Sequence, residues 1–463
     1  MKALNGTTTL DEVYRVADQT ESLQNIYAEL MPSELSRSTH ISRALLEETK
    51  REIVSLERFA LYVAAVDSKL RLPTLFAGAL LMHVGDIHIE PAADTIEVRF
   101  RIDGILQTVA RLPLAAYPTL IAEIKLTAGL KSGERSGTTE GRFSLTLEKP
   151  LQGKISLVDV RLSIILSGFG ETIALRLLNQ SLVTLDLDRL SIRKQNLDAI
   201  LTALSKPHGI ILNTGPTGSG KTTTLYSILT KLNTPAVKII TVEDPIEYQV
   251  PGVLQTQVKE SENYTFATAL RTLLRQNPDV LMVGEIRDEE TAAIAIQAAS
   301  TGHLVLSTLH TNSAAGAVSR LTAMGIGNDD LANAANLFMA QRLVRKLCQK
   351  CAVASNPTPA EKTLIEKALE SLPKKDALLK KMSLWNAQGC PACNGTGFIG
   401  QLVISETLLI GKEISELIAR GALTSEIEEK AIALGMLTLI QDGILCALEG
   451  HTTLAEVERV TDL

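Results

Sequence analysis

The chain has 463 residues, of which 45% are hydrophobic and 21% are charged, and its formal net charge is -6. This length exceeds one compact core and predicts roughly three domains, while the composition excludes an intrinsically disordered chain. The negative charge argues against a protein dedicated to nucleic acid. No apolar run approaches the roughly 18 residues that span a bilayer, and no secretory signal is found. We therefore expect a cytoplasmic protein.

The first part of the chain divides into two predicted regions. Residues 1–65 indicate a helical accessory region, because apolar side chains such as Leu45 and Ile53 recur at helical spacing. Residues 66–184 indicate a small α+β domain with a mostly antiparallel sheet. In Thr95–Asp103 apolar and charged residues alternate strictly, as in a strand with one buried face, and a helix and three further strands follow.

Residues 185–337 alternate between strand-like apolar runs and helix-like segments, which predicts a parallel sheet covered by helices. The predicted strands are 210–213, 238–242, 280–283 and 304–308, and small or polar residues follow each of them. Ligands bind beyond the carboxyl ends of the strands in such sheets. We therefore expect the four polar clusters to meet in one crevice.

A glycine-rich loop lies between the first of these strands and a predicted helix. Residues 215–222 read Gly-Pro-Thr-Gly-Ser-Gly-Lys-Thr, the pattern of a phosphate-binding loop in its required strand–loop–helix context. Backbone N–H groups of such a loop surround phosphate oxygens, Lys221 would reach the β- and γ-phosphates, and the Thr222 hydroxyl would bind Mg²⁺. The alternative, an ordinary glycine-rich turn, does not account for these flanks. The predicted nucleotide-binding residues are Gly215, Pro216, Thr217, Gly218, Ser219, Gly220, Lys221, Thr222 and Thr223.

Acidic residues follow two of the other strands. Glu285 stands after the apolar run 280–283, where a Walker-B-like acid belongs, and is the leading candidate for the base that activates water. Gly284 replaces the usual first acid, so Mg²⁺ would depend more on the loop, on phosphate oxygens and on water. Glu243 and Asp244 form a second acidic pair after the preceding strand. A capping role is the alternative for either site.

Two histidines and two arginines have both a structural and a functional interpretation. His303 and His310 bracket the last strand, where a core role and sensing of the γ-phosphate or a neighbouring subunit are the alternatives. Arg161 and Arg176 lie on the polar face of their predicted strands. Such arginines usually form a solvated face, although a domain beside a nucleotide can also offer them to phosphates.

Four of the five cysteines form two Cys-x-x-Cys pairs, Cys348 with Cys351 and Cys390 with Cys393. In a chain without an export signal this spacing predicts a tetrahedral Zn²⁺ site within a subdomain at 338–410. Four thiolates leave no open position on the ion, so the role would be structural. Two independent buried cysteine pairs are the alternative.

The end of the chain is predicted to be mainly helical. The segment 352–389, between the cysteine pairs, indicates a helical hairpin. Residues 411–463 indicate a small helical end domain in which Gly435 separates two helices.

Four motifs in a fixed order carry a family resemblance. They are Gly-Pro-Thr-Gly-Ser-Gly-Lys-Thr-Thr-Thr-Leu-Tyr at 215–226, Thr-Val-Glu-Asp-Pro-Ile-Glu-Tyr at 241–248, Asn-Pro-Asp-Val-Leu-Met-Val-Gly-Glu-Ile-Arg-Asp at 277–288 and Thr-Gly-His-Leu-Val-Leu-Ser-Thr-Leu-His-Thr-Asn at 301–312. Together they resemble the Walker A, Asp box, atypical Walker B and His box of the type II secretion and type IV pilus assembly ATPases. The similarity extends from the motifs at 85–91 and 98–104 to the C-terminus.

The resemblance implies a RecA-like core at 185–337, a PAS-like domain at 66–184 and a homohexameric ring that binds ATP and Mg²⁺. It also implies roles by matching position: Lys221 binds phosphate, Glu243 and Glu285 are the catalytic acids, His303 and His310 are the His-box pair, and Arg161 and Arg176 complete the site from the PAS-like domain.

The same resemblance implies a cytoplasmic motor that drives assembly of a pilus or secretion pseudopilus. Its partners would be a platform protein of the inner membrane, through which it is held peripherally at that membrane, and a cytoplasmic adaptor, with no nucleic-acid partner. The tetracysteine pattern favours the assembly branch. A retraction motor, a DNA-uptake or conjugation ATPase, and a nucleotide-binding scaffold with little turnover are the alternatives. Segments 135–142 and 400–406 depart from the family pattern, which leaves the contacts between subunits there open.

Overall fold

The computed structural model describes residues 38–130, 138–151, 155–178, 186–247, 249–372, 382–461 and 463. The predictions for residues 1–37, and for parts of the segments 135–142 and 352–389, lie outside these residues. The chain divides at residue 181 into two compact units. The division into five domains, which is finer, stays a prediction.

The first unit is built on one seven-stranded sheet with the strand order β1-β5-β6-β7-β2-β3-β4. The strands are β1 (Ser38–Ile41), β2 (Asp86–Pro91), β3 (Thr95–Ile102), β4 (Ile105–Pro113), β5 (Thr138–Leu151), β6 (Ile155–Ser167) and β7 (Gly170–Leu178). The helices are α1 (Arg43–Glu52), α2 (Leu56–Ala65), α3 (Ser68–Leu81) and α4 (Tyr117–Thr127). All neighbouring strands are antiparallel except β1 and β5, which are parallel.

The alternation of apolar and polar residues along the strands explains this sheet. In β3 every second residue is buried, so that Val98 and Phe100 pack into the core while Arg99 and Arg101 lie on the opposite face. Helix α2 covers the apolar face, and the ring of its Phe59 lies 6.0 Å from that of Phe100. The predicted α+β domain with a mostly antiparallel sheet is confirmed.

The second unit contains the predicted parallel sheet. Its strands are β8 (Gly209–Thr214), β9 (Ile239–Glu243), β10 (Leu254–Gln257), β11 (Val280–Val283), β12 (Leu304–Leu309), β13 (Ala335–Leu347), β14 (Ala352–Ser355), β15 (Leu384–Ala387) and β16 (Phe398–Leu409). Its helices are α5 (Lys194–Leu204), α6 (Lys221–Leu232), α7 (Phe266–Leu273), α8 (Glu289–Ser300), α9 (Gly316–Ala323), α10 (Asn328–Ala334), α11 (Pro359–Ala368), α12 (Lys412–Ala419), α13 (Thr424–Ala433), α14 (Leu439–Leu448) and α15 (Leu454–Val460).

The large sheet of this unit has the order β10-β9-β11-β12-β8-β13-β16, and only the β13–β16 pair is antiparallel. Strand β8 is buried along its whole length because helices cover both faces of the sheet. Ile210 and Leu212 pack against the layer that includes α7 and α8, whereas Ile211 packs against α5 and α6. The predicted α/β class is confirmed.

The predicted helical hairpin at 352–389 is wrong in the part of the segment that the structure describes. Its ends form the antiparallel pair β14–β15, and α11 is the one helix described between them. Pro357 and Pro359 limit the first apolar run to a length that suits a strand better than a helix. Trp385 in β15 also packs closely against Gly450, and local helix and strand propensities cannot reveal such a tertiary contact.

The last part of the chain is helical, as predicted, and the described residues from 411 onward form four helices, α12 to α15. Gly435 lies between α13 and α14 with a φ of 101°, a left-handed conformation that ends α13. Within the described ranges, the structure contains no helix with the length and apolarity needed to span a membrane.

Candidate active site

The loop of residues 215–220 follows strand β8 and leads directly into α6. Gly215 and Gly220 have φ values of 146° and 85°, and a side chain on either would collide with β13. A Cβ at Gly215 would lie 2.6 Å from the Gln341 carbonyl oxygen, and one at Gly220 would lie 2.8 Å from Gln341 Nε2. The loop is therefore held against β13 at distances that only glycine allows.

Lys221 is the first residue of α6, and its side chain is buried under the loop. Its Nζ donates to the carbonyl oxygens of Gly215 at 2.6 Å and Pro216 at 3.0 Å. Burial lowers the pKa of Lys221, the charge of Arg342 lowers it further, and the charge of Glu285 opposes both effects. Thr222, next along the helix, is exposed at the loop. The ammonium group and this hydroxyl thus lie where phosphate and Mg²⁺ would be bound.

Glu285 lies two residues beyond β11, and Arg287 and His310 contact its carboxylate. Arg287 Nη2 donates to Glu285 Oε1, and His310 Nε2 lies 3.4 Å from Glu285 Oε2. Burial alone would raise the pKa of Glu285, but the hydrogen bond and charge of Arg287, with the contribution of His310, lower it overall. The carboxylate is therefore ionised at neutral pH. Because β8, β11 and β12 are parallel and in register, Glu285 and His310 come to the edge where the loop begins.

Glu243, the other predicted acid, has different surroundings. It ends β9 with its side chain buried, and its carboxylate accepts hydrogen bonds from the Tyr226 hydroxyl, from Thr241 Oγ1 at 2.5 Å and from Gln255 Nε2 at 3.1 Å. Burial raises the pKa of Glu243, and these hydrogen bonds only partly offset that effect. Both oxygens are thus engaged by neutral donors from α6, β9 and β10.

Asp244, rather than Glu243, joins the cluster around Glu285. Its Oδ2 lies 3.8 Å from Arg287 Nη1, so that Arg287 bridges Asp244 and Glu285. The carboxylates that the structure brings together at this edge of the sheet are therefore those of Asp244 and Glu285.

The two predicted histidines lie at opposite ends of β12. His310 follows the carboxyl end of the strand and contacts Glu285. His303 precedes the amino end, where its Nδ1 lies 3.1 Å from the Ala298 carbonyl oxygen and its own carbonyl oxygen accepts from Gly209 N. Six strand residues separate the two, which is roughly 20 Å. The structure brings His310 to the site of Lys221 and Glu285 and does not bring His303 there.

Arg161 and Arg176 lie opposite each other on β6 and β7, in the first unit. They belong to a row that crosses the sheet on one face, and its members, in order, are Arg142, Arg161, Arg176, Asp86 and Arg101. Asp86 pairs with Arg176 at 3.0 Å and with Arg101 at 3.2 Å. Like charges directly opposite one another destabilise a sheet. The row holds four arginines and one acid, and Arg142 belongs to it although the sequence did not indicate that.

The four predicted zinc ligands are brought together at the far end of the β13–β16 pair. Their sulfur atoms all lie within 4.8 Å of one another. The Sγ–Sγ distances are 3.9 Å for Cys348–Cys390, 3.8 Å for Cys351–Cys393 and 3.8 Å for Cys390–Cys393. A tetrahedral ion with Zn–S bonds of about 2.3 Å requires sulfurs roughly 3.8 Å apart. Backbone N–H groups of Cys390 and Gly397 also donate to Cys393 Sγ at 3.1 Å, so the donor set fits zinc.

Comparison with known proteins identifies the family. Residues 69–459 match the family described as Type II/IV secretion system protein. The chain belongs to this family. The family resemblance predicted from the four motifs is thereby confirmed, and it covers both units of the structure.

Relatives within the secretion family come from both pilus and secretion machines. The chain is 42% identical over 379 residues to the type IV pilus assembly ATPase PilB of Thermus thermophilus, an alignment that covers 82% of this chain and 41% of that protein. It is 44% identical over 376 residues to the type II secretion system ATPase E of Vibrio cholerae, covering 81% and 72% of the two chains. The solved ATPase DotB of Legionella pneumophila, at 21% identity, has the same fold, with a TM-score of 0.60 over 86% of this chain and 96% of that one.

Two residues that the family motifs did not indicate reach the phosphate loop from β13. They are the buried Gln341, which hydrogen-bonds within the loop, and Arg342, whose Nη1 donates to the Gln341 carbonyl oxygen at 3.0 Å. Strand β13 pairs with β8 directly beside the loop. The predicted boundary at 337 falls within β13, so it assigned both residues to the zinc subdomain. The one indication of them in the sequence was that they lie between the apolar stretches 337–340 and 343–344, which together are long enough for a further strand.

Proposed function

We propose that this chain is a Mg²⁺-dependent ATPase that works as a homohexameric motor for assembly of a type IV pilus or a type II secretion pseudopilus. The observation that carries the proposal is that Lys221 and Glu285 both follow the carboxyl ends of parallel, in-register strands, β8 and β11, at one edge of the sheet. A buried ammonium group, under a loop of backbone N–H groups, suits a triphosphate, and an ionised carboxylate beside it suits an attacking water.

The loop and α6 hold the nucleotide. In this role Lys221 exchanges its hydrogen bonds to the Gly215 and Pro216 carbonyl oxygens for bonds to phosphate oxygens. Thr222 would hold the Mg²⁺, which neutralises phosphate charge when bound. Because Lys221 is buried, its charge acts on the phosphates with little screening by water.

Glu285 orients the attacking water and accepts its proton. Its lowered pKa makes it a weak base but keeps it ionised over the whole physiological range, which suits the positioning of water. Arg287 and His310 each hold one oxygen of the Glu285 carboxylate and so fix its direction. Asp244 in turn restrains Arg287.

Arg161 and Arg176 are the candidates from the first unit for contact with a nucleotide. We assign Arg161 and Arg176 to the phosphates of a nucleotide bound by a neighbouring subunit of the hexamer, where their charge would stabilise the transition state. Alanine at either position should reduce hydrolysis more than ATP binding. Equal loss of both, or of neither, in rate and binding measurements would argue against the assignment.

Zinc would have a structural role here. Cys348, Cys351, Cys390 and Cys393 would hold one ion and close the end of the β13–β16 pair. Elemental analysis should find about one zinc per chain, and chelation should lower the melting temperature. A folded, metal-free protein with the melting temperature of the metal-loaded one would contradict this role.

The remaining elements of the proposal rest on the family. We place the motor in the cytoplasm, held at the inner membrane by a platform protein and a cytoplasmic adaptor. The tetracysteine cluster and the identity to PilB and to secretion ATPase E favour assembly over retraction.

The experiment that tests the proposal compares two lysines of one helix. Lys221→Ala should abolish ATP hydrolysis and weaken ATP binding, because it removes the buried charge at the loop. Lys231→Ala, at the exposed end of α6, is the matched control and should hydrolyse ATP like the parent chain. Undiminished turnover in the Lys221→Ala variant would overturn the proposed site.

A further inference from the structure

The side chain of Gln341 connects the three consecutive parts of the phosphate-binding motif. It is fully buried, and it projects from β13 toward the loop. Its Oε1 accepts from Asn213 Nδ2 at 2.9 Å and from Thr224 Oγ1 at 2.9 Å, while its Nε2 donates to the Ser219 carbonyl oxygen at 2.8 Å. Asn213 belongs to β8, Ser219 to the loop and Thr224 to the first turn of α6. One carboxamide therefore fixes strand, loop and helix relative to one another.

The bond to Ser219 has a consequence for phosphate binding. A peptide unit is planar and trans, so its C=O and its N–H point in opposite directions. Because the Ser219 carbonyl is held toward β13 by Gln341, the N–H of Gly220 is directed away from β13, and backbone N–H groups of such loops bind anions. The position of Gly220, which leaves no room for a Cβ next to Gln341 Nε2, keeps this peptide against the strand.

We propose that Gln341 is a positioning residue for nucleotide binding, which orients the Ser219–Gly220 peptide so that its N–H is preorganised for phosphate. The proposal rests on the proposed function, since it concerns the same nucleotide site. It makes β13 part of the nucleotide-binding apparatus, with a side chain that touches no substrate.

The chemistry of the side chain must be that of a carboxamide. It has to donate to one carbonyl oxygen and accept from two donors at the same time, and glutamine does both. Leucine at this position would leave Asn213, Thr224 and the Ser219 carbonyl without partners in a buried place. Glutamate would keep an acceptor oxygen for Asn213 and Thr224 but would have no N–H to donate, so that the Ser219 carbonyl would no longer be held.

The test measures affinity for ATP and for ADP, each with Mg²⁺, in the full chain. In Gln341→Leu and in Gln341→Glu we expect the Kd for both nucleotides to rise about ten-fold. The KM for ATP should rise in parallel and kcat should stay within about two-fold, because the loop contacts phosphates alike in the ground and transition states.

Gln441→Leu is the matched control. Gln441 is also buried and also makes three hydrogen bonds, to Thr438 N, Ala368 O and Ser371 Oγ, but it lies in α14. Its loss should lower the melting temperature as much as the loss of Gln341 does and leave both Kd values unchanged. This separates positioning of the loop from general stability.

The outcomes are distinguishable. Folded Gln341 variants that bind ATP and ADP with the Kd of the parent overturn the positioning role and leave the proposed ATPase intact. Equal loss of affinity in the Gln341 and Gln441 variants also overturns it, because the effect is then one of stability. A parent chain that binds neither nucleotide overturns the proposed function and this role together. If Gln341→Leu does not fold, Gln341→Glu decides the question, because glutamate keeps the shape of the side chain and the oxygen that accepts from Asn213 and Thr224.

Discussion

Glu243 and Glu285 follow neighbouring parallel strands, yet their surroundings act on the two charges in opposite directions. Burial raises the pKa of both carboxyl groups. For Glu285 the hydrogen bond and charge of Arg287, with a contribution from His310, outweigh burial and the pKa is lowered. Glu243 accepts hydrogen bonds from the neutral donors of Thr241, Tyr226 and Gln255, which only partly offset burial, so its pKa stays raised.

This difference assigns separate roles to the two acids. Glu285 is ionised and influences the pKa of Lys221, which supports our assignment of Glu285 to the attacking water. Glu243 ties α6, β9 and β10 together from within the protein. The position of an acid at a strand end thus does not decide its function, because the partners of the carboxylate do.

The largest effect is expected for Glu285→Gln. The substitution keeps the shape but removes the charge and the proton acceptor, so kcat for ATP hydrolysis should fall by about 10²-fold or more while ATP still binds. Steady-state hydrolysis and equilibrium binding measured on one preparation check this. A Glu285→Gln variant that hydrolyses ATP at more than half the parent rate would contradict the catalytic role assigned to Glu285.

Arg287→Ala tests the cause of the lowered pKa. Without the guanidinium group the pKa of Glu285 should rise, so the acidic limb of the pH–rate profile should move to higher pH. The kcat at neutral pH should fall about ten-fold, because the carboxylate also loses the hydrogen bond that fixes its direction. Arg420→Ala removes a comparable arginine–glutamate pair, with Glu426, and is the matched control. An unchanged acidic limb would show that Arg287 does not set the pKa.

Glu243→Gln should have a small effect on catalysis. The Tyr226 and Thr241 hydroxyls donate to different oxygens of the Glu243 carboxylate, so the amide keeps an acceptor for one of them. The other hydroxyl can turn and accept from the amide NH2, and we therefore expect kcat within about three-fold of the parent. The measurement is the same steady-state assay. A loss equal to that of Glu285→Gln would support the sequence-based prediction that both acids are catalytic.

The smallest effect is on stability, and it should have opposite signs for the two acids. The folded pKa of Glu285 lies below its unfolded value, so its stabilisation is present above the unfolded pKa and is lost as pH falls through the folded one. The folded pKa of Glu243 lies above its unfolded value, so stability is lost as pH rises from the unfolded pKa through the folded one.

Urea unfolding of the parent and of each glutamine variant measures this. As pH rises, the difference in unfolding free energy, parent minus variant, should increase for Glu285→Gln and decrease for Glu243→Gln, each by about 1 kcal/mol. Parallel trends for the two variants would contradict the opposite pKa shifts.

Much of the fold was predictable because local patterns and tertiary structure agree. The alternation in 95–103 and the glycine loop at 215–222 both have the structures that their sequences indicate. The segment 352–389 was predicted wrongly because its strands form by long-range pairing and by the packing of Trp385 on Gly450. The spacing of residue types along the chain does not reveal either contact.

The site was predictable in its residues but not in their arrangement. The sequence indicated Lys221, Glu285 and His310, which the structure brings to one edge of the sheet, and also His303, which it places at the other end of β12. Gln341 was missed because its role depends on the pairing of β13 with β8, far apart in sequence.

A single-turnover experiment tests the distinction between the two acids most directly. ATP is bound to the parent, to Glu285→Gln and to Glu243→Gln, and the conversion of bound ATP to ADP is followed after quenching. The account predicts that Glu243→Gln converts its ATP at nearly the parent rate while Glu285→Gln retains ATP unhydrolysed. Retention of ATP by Glu243→Gln together with rapid conversion by Glu285→Gln would contradict it.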